Sequence, residues 1–160
     1  MRAITIRQPW ATAIVRMGKD VENRSRNIAG AYRGPVAIHA GSALPPGRRG
    51  TRTEFDGVGE VEYDLTGLLL RSPQLAWPYR LPLGVIIGVV DLVDVHHADD
   101  CWRGVALLDS TTHTEHCSPW AMADHHHLVL TNPRVLDRPI PWRGKQGLWT
   151  LPDDVLAGAL

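Results

Sequence analysis

An ammonium, a carboxylate and a guanidinium fall within six residues in Gly18-Lys19-Asp20-Val21-Glu22-Asn23-Arg24. The chain carries 15 Arg and only two Lys, Lys19 and Lys145. Arginine keeps its proton at any ordinary pH, whereas a desolvated lysine can release one, and the two heads differ in shape. Lys19 therefore admits two chemistries. It can present a point charge to a phosphate or base carbonyl, or act as an acid/base group whose pKa is lowered by burial and by Arg7, Arg24 or Arg26. Glu22 can accept hydrogen bonds from an exocyclic amine, as acidic side chains do for cytosine, or take a proton from water. It can also simply pair with Lys19 or Arg24, which at an exposed site contributes little.

The residues just upstream, Thr5-Ile6-Arg7-Gln8-Pro9-Trp10-Ala11, add Arg7 and Gln8 where a strand gives way to a helix, a place suited to anions. Gln8 has the groups for a base-edge contact, while Trp10 also fits an apolar stripe with Ile14 and Met17. Asn23, Arg24 and Arg26 extend the candidate ligand-binding set, the arginines as phosphate contacts or as solvated surface. Asn132 and Arg134 are candidates for the opposite wall of a cleft, although Asn-Pro also ends strands. The strand's two-residue period puts Glu22 and Arg24 on one face and Val21 and Asn23 on the other. Where Lys19 points is left open by the sequence. Histidines and cysteines at His96, His97, Cys101, His113, His116, Cys117 and His125 to His127 are of the types zinc takes. They match none of the structural-zinc spacings, so the sequence reading expects neither a metal nor a cofactor.

These groups need a scaffold. Ala3 to Arg7 alternates and is β-branched, which predicts a first strand. Pro9 suits a helix start, Trp10, Ala13, Ile14 and Met17 form one helical stripe, and Gly18 is a left-handed stop. Further strands are predicted at 21–25, 34–40 and 84–95, the last apolar enough to cross a core. Another runs from His127 to Thr131, where Asn132-Pro133 breaks it. A sixth follows at 147–151, and Pro152-Asp153-Asp154 opens a terminal helical turn. A short helix is predicted between Leu65 and Leu75, and mobile excursions near 41–60 and 96–124. Six short strands with few helices predict a mainly β, α+β fold, a small mostly antiparallel barrel with peripheral helices, as one domain over 1–160.

Composition bounds the rest. With 44% hydrophobic and 21% charged residues the chain is ordinary globular material, without a run of apolar residues long enough to span a membrane. The N-terminus lacks a signal-peptide pattern, and two cysteines make no disulfide framework, so a cytoplasmic location is expected. The formal net charge is zero, but residues 1–52 hold ten basic side chains against Asp20 and Glu22, and the remainder reverses that excess. Such an asymmetry suits a polyanion on one face, unless the two parts neutralise each other on folding.

Taken in order, Thr5 to Ala11, the Lys-x-x-Glu-x-Arg series at Lys19, Glu22 and Arg24, Val36 to Ala40, Gly84 to Val95, Thr131 to Arg134, Pro139 to Pro141 and Arg143 to Trp149 resemble the ASCH domain family (activating signal cointegrator 1 homology), in its longer bacterial members. The resemblance covers nearly everything except 41–80 and 96–124. It implies a PUA-like β-barrel whose cleft, between barrel and first helix, holds the Lys19, Glu22 and Arg24 positions. It implies binding of RNA, single-stranded nucleic acid or a nucleotide, with no membrane partner. Some family members are amidohydrolases that deacylate N4-acetylcytidine with a Lys, Thr and Glu set. Here Glu22 stands where those enzymes have the threonine, so whether Lys19 and Glu22 are catalytic is left open. The common expectation is that the three heads meet in a solvent-reachable groove that takes a nucleobase.

Overall fold

A computed structural model describes residues 1–42, 82–103 and 117–159. They form one six-stranded sheet around a single α-helix, a curled half-barrel. In chain order the elements are β1 (Arg2–Ile6), α1 (Trp10–Arg16), β2 (Val21–Arg24), β3 (Gly34–Ala40), β4 (Val85–His97), a 3-10 turn (Ala98–Arg103), β5 (His126–Pro141), β6 (Leu148–Thr150) and a closing 3-10 turn (Asp153–Leu156). The strand order is β2-β5-β4-β3-β1-β6. β1 and β3 run parallel, and the other pairs are antiparallel. The predicted helix between Leu65 and Leu75 and the excursion near 41–60 lie outside the described residues, apart from Gly41 and Ser42.

Both faces of the sheet are covered, which explains why β3 is buried from Val36 to Ala40 without alternation. Successive side chains pass to opposite faces. Ile4, Ile6, Val36, Ile38, Leu92, Leu128 and Leu130 pack on one side with Ala11, Ile14 and Val15 of α1. Ala3, Ala37, Ile86, Val89 and Trp149 pack on the other, with Leu151 and Leu156 from the closing turn. The helix sits close to β4 because position 88 is glycine. A Cβ there would stand 2.7 Å from the Arg134 carbonyl oxygen and 2.8 Å from Cγ1 of Val15, nearer than real Cβ atoms approach. Among the described residues, no helix is long and apolar enough to cross a membrane.

Most sequence-derived elements fall within two residues of their predicted bounds, and β4 extends two residues beyond, to His97. One expectation is corrected. The chain does not leave the sheet at Asn132-Pro133; β5 runs through it for 16 residues. Asp91 pairs with Thr131 and Val89 with Arg134, so Asn132 and Pro133 are accommodated as an irregularity in the ladder. Asn132 takes a left-handed φ of 49°, and its side chain donates to Asp91 Oδ2 at 2.9 Å. Arg134 grips the same carboxylate with two nitrogens, at 2.6 and 3.1 Å. The cross-strand clasp offsets the missing Pro133 donor.

Those hydrogen bonds, from Arg134 first and then Asn132, hold the Asp91 carboxyl down to about 2. A carboxylate depressed in the fold stabilises it above the unfolded pKa, near 4, and loses that contribution as pH falls toward 2. Thermal melts between pH 5 and pH 2 should therefore show the wild type losing its advantage over Asp91→Asn as the pH drops. Parallel curves would contradict the clasp.

Candidate functional site

β2 is four residues long, yet it positions the whole charged series. Gly18, at φ 70°, ends α1 with a turn that L side chains resist, and the Lys19 amide returns to the Ala13 carbonyl at 3.1 Å. The Asp20 carbonyl accepts from the Leu130 amide at 2.7 Å, so β2 enters the sheet in a fixed register, with Glu22 opposite Leu128. That register turns Glu22 and Arg24 toward the half-barrel interior and Asn23 away from it.

Inside, the Glu22 carboxylate lies between two cations. Its Oε2 is 3.5 Å from Lys19 Nζ and its Oε1 is 3.0 Å from an Arg24 nitrogen. Lys19 is 4% exposed and also donates to the Val21 carbonyl. Arg24 is the most accessible of the three, with its side chain 28% exposed, and reaches across to the Thr5 carbonyl at 3.0 Å. Its Nε is buried without a hydrogen-bond partner. Two positive heads face the Glu22 carboxylate, and the Asp20 carboxylate is close enough to act on Lys19 as well. Burial holds the Lys19 pKa below its ordinary value, while the Glu22 carboxylate pulls it partly back up.

Aromatic rings flank the cluster. The Lys19 ammonium lies 5.9 Å from the centre of the Trp10 ring, within cation–π range. The half-buried Trp10 meets Trp120 edge to face, at 6.3 Å between centroids. Asn23 fixes Trp120 by donating to its carbonyl at 2.8 Å and accepting from the Met122 amide at 3.0 Å. Ser118 ties the same segment to the Lys19 turn through Asp20, at 2.5 Å. Below Glu22 is an apolar hollow lined by Ile4, Ile6, Val36, Leu92, Leu128, Leu130 and Leu148. At about 10 Å³ it has room for about one water. Among the described residues, then, the three heads meet as expected, but the hollow beside them is too small for a nucleobase.

No family model matches the chain. It is 26% identical to human Activating signal cointegrator 1 over 156 residues, which is 98% of this chain but 23% of that protein. The mouse protein of the same name matches equally, at 26% over 156 residues. An ordered likeness running almost end to end, on a curled half-barrel with one helix, supports an ASCH-like domain. The chain resembles an ASCH domain. It spans under a quarter of the curated relatives it matches.

Within this ASCH-like domain the other candidates separate. Gln8 is fully buried, accepting from the Thr12 amide at 3.1 Å and donating to the Pro82 carbonyl at 2.9 Å. Its amide is thus committed to the start of α1. Asn23 is likewise committed, to the Trp120 segment. Arg7 and Arg26 are exposed, each two residues beyond a partner of the Thr5–Arg24 contact. Asn132 and Arg134 are occupied by Asp91 at the β4–β5 irregularity and are not brought to Glu22. A separate group was missed as a set by the sequence reading: His96, Cys101, Cys117 and His127 place their ligand atoms within 4.8 Å of one another. Only the residue types signalled it, because the pairing of β4 with β5 makes the group.

A buried carboxylate stripped of one cation costs more than a pair replaced by neutral groups. In chemical denaturation, Lys19→Met alone should lose about 3 kcal/mol. Adding Glu22→Gln should recover part of that loss, because no uncompensated charge is left. Additive losses would show that the two heads are not coupled.

Proposed function

We propose that this ASCH-like domain binds single-stranded nucleic acid, RNA or a nucleotide at the mouth of the half-barrel. The observation that carries the reading is the Glu22 carboxylate held between Lys19 and Arg24 beside the Trp10–Trp120 pair. Lys19, 4% exposed, positions Glu22, which in turn aims Arg24. The accessible guanidinium edge then meets phosphate, with Arg7 and Arg26, just beyond β1 and β2, adding positive charge. A base stacks on tryptophan, and the Glu22 carboxylate accepts from an exocyclic amine that reaches it. Two cysteines without a disulfide suit a reducing, cytoplasmic setting.

Fluorescence anisotropy with labelled single-stranded RNA at two salt concentrations tests this reading. Arg24→Ala should weaken binding about tenfold and reduce the salt slope by about one. Arg138→Ala, an exposed charge elsewhere on β5, should change neither. Binding that is absent, or indifferent to Arg24, removes the proposal.

A second reading is favoured by one observation, the burial-lowered pKa of Lys19 beside a carboxylate. In an amidohydrolase acting on an acylated nucleoside such as N4-acetylcytidine, Glu22 takes a proton from the attacking water. Lys19 gives one to the departing amine, and the acyl group leaves as a carboxylate. Chromatography over a panel of N4-acylcytidines should then show the free nucleoside appearing, and Glu22→Gln should abolish it. A panel without turnover leaves binding alone.

A further inference from the structure

We propose that His96, Cys101, Cys117 and His127 form a closed, structural zinc site that fixes the wall of the nucleic-acid cleft. The four come from the end of β4, the 3-10 turn after it, the segment before β5 and the start of β5. His96 and His127 are direct cross-strand partners with rings 5.3 Å apart. Cys101 Sγ is 3.3 Å from His96 Nε2 and 3.1 Å from His127 Nδ1, and Cys117 Sγ is 3.4 Å from that same nitrogen. A zinc tetrahedron with bonds of about 2.3 Å to sulfur and about 2.05 Å to nitrogen has nitrogen–sulfur edges of about 3.5 Å. The side chains are already at the spacing the ion requires.

The surroundings select the correct ring nitrogens. The Met122 carbonyl, 2.8 Å from His127 Nε2, accepts that nitrogen's proton and turns the lone pair of Nδ1 toward the sulfurs. Asp94 Oδ2, 2.7 Å from His96 Nδ1, does the same for His96 and leaves its Nε2 to face Cys101. A carboxylate and a backbone carbonyl behind the two histidines are the usual outer partners of metal-bound imidazole. Binding releases both thiol protons to solvent, and two thiolates then neutralise the divalent ion. Four protein ligands leave no open position, so the ion would serve the fold and not a reaction. The spacing, His-x4-Cys-x15-Cys-x9-His, differs from the common finger patterns because strand pairing supplies the geometry. The ion would close the chain between Cys101 and Cys117 and fix Cys117 next to Ser118, whose hydroxyl bonds Asp20 in the Lys19 turn.

The test uses the full chain, purified reduced, without a histidine tag. Elemental analysis should find about one zinc per chain, as a single four-ligand site requires. Cobalt(II) substitution should give the visible bands of a tetrahedral thiolate site. In Cys117→Ser the thiolate-to-cobalt band should fall by about half, since one of two sulfurs is gone. Chelation should lower Tm, and returning zinc should restore it. His126→Ala, which alters the neighbouring His97–His126 ring pair, should keep the metal. A wild type that takes up no stoichiometric zinc or cobalt overturns the proposal. So does a cobalt band of full strength in both Cys101→Ser and Cys117→Ser, or a Cys101–Cys117 disulfide in the freshly isolated protein. None of these readouts depends on RNA binding.

Discussion

Keeping a carboxylate under the half-barrel is the constraint to which the rest of this end of the molecule answers. Removing Glu22 from water is unfavourable unless its charge is met by well-placed partners, and a buried ion pair seldom gains much net stability. The arrangement is better understood as specificity than as glue. Lys19 meets one carboxylate oxygen from the turn before β2, and Arg24 meets the other from the same strand. The two-residue period puts Arg24 beside Glu22 without any loop having to close. Because Arg24 also spans to the Thr5 carbonyl, it ties β2 to β1, strands at separate positions in the sheet order.

That constraint explains why several polar residues that look like ligand contacts are used internally. A buried amide left unpaired costs roughly 1–3 kcal/mol, so Gln8 and Asn23 must find backbone partners once the elements around them close. Gln8 joins the start of α1 to Pro82, and Asn23 holds residues 120–122 against β2. Trp120 is thereby set on Trp10, and Trp10 over Lys19. The rigid frame leaves the guanidinium of Arg24 as the group with both charge and access.

Much of the fold was legible because its signals are local. The stripe of Trp10, Ile14 and Met17 ends at a glycine with positive φ, and Gly34 to Ala40 and Val85 onward are strands of the kind their β-branched content predicts. The failures share a cause. Asn132-Pro133 stays within β5 because Asp91, 41 residues away from Asn132, receives its side chain. Asn132 and Arg134 were candidate cleft residues for the same reason that they are a clasp, since both are hydrogen-bond donors suited to an anion. The Lys19–Glu22–Arg24 convergence was only half legible. Strand period fixes the last two, but the direction of Lys19 depends on how Gly18 turns the chain.

The histidine and cysteine cluster extends this reasoning to the other side of β2. His127 pairs with Asn23 across the β2–β5 ladder, so the end of β5 that carries a proposed zinc ligand also borders the residue that fixes Trp120. Two thiols and two imidazoles are gathered at this sheet end, with Asp94 and the Met122 carbonyl behind the imidazoles, next to residues 117–122 that hold Trp120. The proposed metal would supply rigidity where backbone pairing stops, at the point where β4 has turned away and β5 has just begun. On this view the charged cluster selects the ligand, and the tetrahedral group keeps the aromatic surface in place to receive it.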